Sequence, residues 1–125
     1  MLIITSCQDN IEKKLIGNWT ISLYYGDFTI INNIFSIKND KTCELPISYH
    51  KDAYKEKSRG QWSFFKSDNK SYLKITSANK NFDNIYEITD LRIVQDPVSF
   101  GNLQLMTLIS QKDSIVIFCR RALYN

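Results

Sequence analysis

His50 is the single histidine of the chain, set in Tyr49-His50-Lys51-Asp52. An imidazole is the side chain best suited to proton transfer near neutral pH. Such work needs a nucleophile beside it, and no Ser or Cys motif adjoins this charged loop. A solvated loop residue is expected. Glu87 and Asp90, three apart, come nearest to a carboxylate pair. On one strand that spacing sends them to opposite faces, where they read as surface charges. Cys43 and Cys119 lack a Cys-x-x-Cys spacing, and with one histidine no structural zinc site is expected. They either pair in an oxidising compartment or pack as two separate thiols. Four glycines in all leave no place for a Gly-rich phosphate loop. The reading is of a protein that is not an enzyme and carries no cofactor or metal.

Cys7 offers a different chemistry. Ile4-Thr5-Ser6-Cys7 resembles the lipobox of bacterial lipoproteins, in which two small residues precede a Cys that is acylated. The apolar run Met1–Ser6 has no basic start and is too short for a whole secretory signal. The expectation is therefore a start upstream of Met1, with residues 1–6 a signal remnant, Cys7 the lipid anchor and residues 7–10 its tether. The competing reading is an N-terminal strand with a buried free thiol. No later segment approaches 18 consecutive apolar residues, the longest being Ile115–Cys119. Attachment to a membrane would then run through lipid on Cys7. That places the domain in the cell envelope, on an outer membrane, facing the periplasm or the cell surface.

The chain has 125 residues, enough for one domain with its own core. Charged residues are 23% and hydrophobic residues 43%, so neither a disordered tail nor a fibrous repeat is expected. The net charge of +3 is spread along the chain, unlike the basic stripe of a nucleic-acid binder. Ile occurs 17 times and Ala 3 times, and 16 aromatic residues are added to these. Such a composition suits pleated, half-buried surfaces.

The elements follow from the periodicity. Asp9 to Ile16 is briefly helical, with Asp9 and Glu12 spaced to cap and Gly17 placed to end the turn. Strands are expected at Asn18–Tyr24, Phe28–Ile37, Thr42–Leu45, Gly60–Phe65, Ser71–Thr76 and Ile85–Asp90. Leu91–Val94, continued after a break by Leu103–Ile109, and Ser114–Ala122 complete the set. Most links are hairpin turns such as Ser67-Asp68-Asn69-Lys70. The exceptions run from Pro46 to Arg59 and from Gln95 to Asn102. Eight strands in a meander leave two raw edges unless the first and last pair. An all-β, eight-stranded, antiparallel up-and-down barrel over residues 11–125 is the expected fold, after one helical turn. Leu103–Ile109 and Ile115–Cys119 are apolar on both faces, which fits a partly covered exterior or a fully packed interior.

Leu15-Ile16-Gly17-Asn18-Trp19, a turn running into Gly-x-Trp, resembles the opening of the lipocalins. Gly60-Gln61-Trp62, Tyr86-Glu87-Ile88 followed by Leu91, Leu103-Gln104-Leu105 and Phe118-Cys119-Arg120 resemble the small lipocalin-like lipoproteins of Bacteroidetes. The resemblance implies that Trp19 closes one end of the barrel beneath an Arg from the last strand. Arg120, two residues after Phe118, is the choice for that role, with Arg121 on the opposite face as the alternative. Gly17, Trp19 and Arg120 are thus structural.

Two functions fit these residues. The chain could bind a protein partner through a basic, Tyr-bearing loop carrying Tyr49, Lys51, Tyr54, Lys55, Lys57 and Arg59, since Tyr and Arg are favoured at hot spots. An immunity protein against a secreted toxin is one form of this. Alternatively the barrel carries a small hydrophobic ligand between Phe35, Trp62, Phe64, Tyr72 and Tyr86, residues that could equally fill the core.

Overall fold

A computed structural model of the chain describes residues 10–25, 28–47, 56–98 and 101–123, the side chains of 23–33 excepted. A short helix over residues 10–15 leads into eight strands. These are β1 (Gly17–Tyr25), β2 (Phe28–Ile37), β3 (Thr42–Pro46), β4 (Lys57–Ser67), β5 (Lys70–Thr76), β6 (Asn84–Gln95), β7 (Asn102–Ser110) and β8 (Val116–Leu123). They form a closed barrel in sequence order. Every pair is antiparallel, and closure runs from Thr20 opposite Arg120 to Tyr24 opposite Val116. Pairing of β1 with β8 removes both raw edges, as the meander requires.

The turn chemistry is local. Asp68 and Asn69, at φ 52° and 65°, form the two-residue link between β4 and β5. Asp and Asn tolerate the left-handed region that such a tight hairpin needs. Between β2 and β3, Asp40 Oδ1 accepts from the Thr42 amide at 3.0 Å while Lys41 adopts φ 72°. Before β8, Ser110 Oγ accepts from the amides of Lys112 (3.3 Å) and Asp113 (3.2 Å).

Leu91–Val94 does not belong to the seventh strand. It continues β6, whose pairing with β7 shifts between Thr89 opposite Thr107 and Arg92 opposite Leu105. Two residues, Asp90 and Leu91, thus oppose Met106 alone, a β-bulge with Asp90 at φ 55°. The extra residue breaks the period of two, so Ile88 and Leu91 both pack against the core. β4 is also longer than its alternation suggests, reaching back to Lys57.

Among the described residues the inward side chains pack together inside the barrel. Trp19, Phe35, Trp62, Leu73, Ile75, Tyr86, Met106, Leu108 and Ile117 form one buried cluster. Leu15 from the helix caps it at one end. Phe82, fully buried in the β5–β6 connection, belongs to the same cluster. That connection is held in shape by Asp83 Oδ1, which accepts from the amides of Ala78 (2.8 Å) and Asn79 (3.2 Å). Asn79 Nδ2 then donates to Pro46 O at 3.0 Å and to Ser58 Oγ at 2.6 Å. Lys112 Nζ donates to the carbonyls of Lys80 (3.1 Å) and Asp83 (2.8 Å). Tyr86, inside the barrel, donates its hydroxyl to Phe82 O at 2.7 Å.

Candidate functional site

The helix end of the barrel is built around Trp19, which is fully buried. Its Nε1 donates to Leu15 O at 2.8 Å, so the indole both caps the helix and fills the barrel floor. A guanidinium lies over its ring, 4.2 Å from the centroid, and belongs to Arg121. The expectation for Arg120 is thereby corrected. In β8 the inward positions are Ile117, Cys119 and Arg121, whereas Phe118 is 48% exposed and Arg120 is exposed with it. Counting from Phe118 as an inward residue put the alternation out of phase by one.

Arg121 Nη1 donates to Ile16 O and Nη2 to Lys14 O, both at 2.6 Å, while Nε bonds Gln104 Oε1 at 2.9 Å. Burial pulls its pKa below the usual guanidinium value. These charge-assisted bonds and the ring face hold it as a cation. Gly17 is required twice over. Its φ of +139° disfavours any side chain, and a Cβ there would collide with the Arg121 guanidinium.

Gly60-Gln61-Trp62 repeats the device. Trp62 Nε1 donates to Lys38 O at 2.7 Å, and Lys41 Nζ stands 4.3 Å above its ring. Lys41 also pairs with Glu12 of the helix, joining it to the β2–β3 turn. A Cβ on Gly60 would lie 2.7 Å from both Thr76 O and the Ala78 Cβ.

Of the residues named as interior ligand contacts, Phe35, Trp62 and Tyr86 are buried within the core cluster, and Phe64 packs against it half-buried. Tyr72 does not face the interior. It alternates with the inward Leu73 and stacks on Phe65, ring centroids 5.0 Å apart, outside the barrel. Of the loop residues, Tyr49, Lys51, Tyr54 and Lys55 lie outside the described residues, as do Cys7, His50 and Asp9. Lys57 and Arg59 are strand residues rather than loop residues. Lys57 donates to Ile34 O at 2.9 Å, and Arg59 pairs with Glu44 at 3.2 Å. Glu44 also meets Lys38 at 3.4 Å, and that bond, with Arg59 assisting, draws its carboxyl below the usual range. Cys43 and Cys119 are free, buried thiols. Among the described residues no group of three His, Cys, Asp or Glu could hold a metal ion.

The outer wall carries a feature the sequence reading did not locate. Asp90, Arg92, Leu105, Thr107, Phe118 and Arg120 line a half-open groove of about 300 Å³ across β6, β7 and β8. Met106 and Cys119 line it too. Their side chains are buried in the core, so the strand backbone makes the floor. The bulge builds this groove by turning Arg92 outward after the inward Leu91. Arg92 lies opposite Leu105, and Leu105 opposite Arg120, placing two guanidiniums on either side of an apolar residue. Arg92 Nε meets Asp90 Oδ1 at 2.8 Å. The double-sided apolar pattern of β7 and β8 was the available signal; the bulge that completes the groove left only a phase break. No known protein family, curated protein or solved structure matches the chain.

Proposed function

We propose that the chain is a non-enzymatic binding module of the bacterial cell envelope, lipid-anchored at Cys7. In this reading a lipocalin-like barrel engages a protein partner through its outer surface and loops. The observation that supports it best is the buried cluster that the described residues form inside the barrel. Bulky side chains occupy the interior, Trp19 and Leu15 close one end, and Phe82 is buried beneath the β5–β6 connection at the other. Close packing of this kind leaves the outside to do the binding. The exterior is suited to it, with Phe118 48% exposed and Ile109 37% exposed on neighbouring strands. Aromatic and aliphatic residues standing clear of the core in this way are common in protein contacts.

The test uses the full-length gene with its upstream codons. A fatty-acid analogue fed to cells should label the wild type and leave Cys7→Ala unlabelled and soluble. A photoreactive residue on the outer wall, at Ser63 or Thr107, should then give one discrete protein adduct in the envelope. Equal labelling of both proteins rejects the anchor, and adducts with lipid alone reject the protein-binding role.

A further inference from the structure

We infer that the groove on β6–β8 receives an apolar side chain flanked by carboxylates, carried on an acidic segment of a protein partner. This rests on the protein-binding reading and gives it a surface and a partner chemistry.

The groove offers two kinds of contact. Leu105 and Phe118 supply an apolar lining, and its volume of about 300 Å³ lies at the lower bound for a binding pocket, room for one or two side chains. Above that lining stand Arg92 and Arg120, on strands either side of β7. Two strand spacings put their backbones roughly 10 Å apart, so they bracket whatever enters. Asp90 pairs with Arg92 at Nε. Among the described residues no hydrogen bond or ion pair holds the Arg120 guanidinium. The groove therefore keeps a net positive charge and planar donors that match carboxylates bidentately.

A protein segment suits the site better than a free organic acid. The groove is half-open, and the apolar wall continues past it to Ile109 and Val116, which face each other across β7 and β8. A chain lying along the wall would cover that surface, while a small acid in the groove would leave it wet. A basic segment would meet two guanidiniums and be repelled.

The whole chain, isotopically labelled, is titrated with three probes: acetyl-Gly-Glu-Phe-Glu-Gly-amide, the same peptide with Lys for Glu, and 3-phenylpropionate. The acidic peptide should shift the resonances of Leu105, Thr107 and Phe118 saturably. Arg92→Glu with Arg120→Glu should weaken it at least tenfold, with the spectrum otherwise that of the folded barrel. Arg120→Ala alone, at an exposed position, should weaken it several-fold. Absence of saturable shifts at these residues overturns the inference, as does equal binding of the Lys peptide. Binding of 3-phenylpropionate in the groove as tight as that of the peptide overturns the choice of a protein segment. The parent reading fails by different results, lipid adducts or an interior ligand, so the two failures are distinguishable.

Discussion

The guanidinium of Arg121 lies 4.2 Å from the centroid of the Trp19 ring and donates to the carbonyls of Ile16 and Lys14. One side chain of the last strand thus holds the first strand and the helix that precedes it. Ile16 and Arg121 stand 105 positions apart, with nearly the whole barrel between them, so this contact forms only when the barrel closes.

Replacing Arg121 by Ala should cost about 3 kcal/mol in a denaturant titration. Charge-assisted bonds and the cation–π contact are lost together, and the half-buried Ile16 carbonyl loses its donor. Arg120→Ala, on the outer face, should stay within about 0.5 kcal/mol of wild type. Trp19→Ala should cost about 3–5 kcal/mol, since the indole is fully buried. Similar losses for Arg120 and Arg121 would contradict the inward placement of Arg121.

Phe82→Ala should cost about 3–5 kcal/mol and open the loop end of the barrel. Because Phe82 is buried in the same core cluster as Tyr86, the variant should gain weak binding of an apolar fluorescent dye that the wild type lacks. A variant that is destabilised but gains no dye binding would mean that neighbouring side chains collapse into the space.

The two described thiols carry a pH signature. Burial pushes Cys43 from its ordinary 9.0 up to about 11 and raises Cys119 further. The unfolded thiols ionise above about pH 9 while the folded ones stay protonated, so stability is full below pH 9 and falls as pH rises towards 11. For Cys43 the rise from 9.0 to about 11 corresponds to about 2–3 kcal/mol. Comparison with Cys43→Ala isolates that loss, and a stability curve with the same slope in both proteins above pH 9 would contradict it. Neither thiol should react with an alkylating reagent at neutral pH until the protein unfolds.

How much of this was legible in the sequence varies with the length of the pattern. Hairpin turns with Asp and Asn, and strands with clean alternation such as Trp62 and Leu73 to Ile75, are local signals and appear where expected. Closure of β1 on β8 was legible because a meander has few other ways to hide its edges. Parity was not legible where both faces are apolar. Phe118 and Cys119 are both acceptable in a core, and only tertiary packing decides that Cys119 turns in. The same ambiguity placed Tyr72 inside, where it stands outside against Phe65. The bulge at Asp90 hid the continuity of β6 and, with it, the outward Arg92. Phe82 lies in a polar run, Ser77-Ala78-Asn79-Lys80-Asn81-Phe82-Asp83, that reads as a connection; its lone aromatic was the only sign of a plug.

The most direct test of a packed barrel acting through its outside is a titration of the intact protein with an apolar fluorescent dye, followed by competition with a long-chain fatty acid. The wild type should show no saturable signal, while the Phe82→Ala protein serves as the positive control. Saturable binding to the wild type, displaced by the fatty acid and quenching the buried Trp62, would contradict the account and make the barrel a carrier.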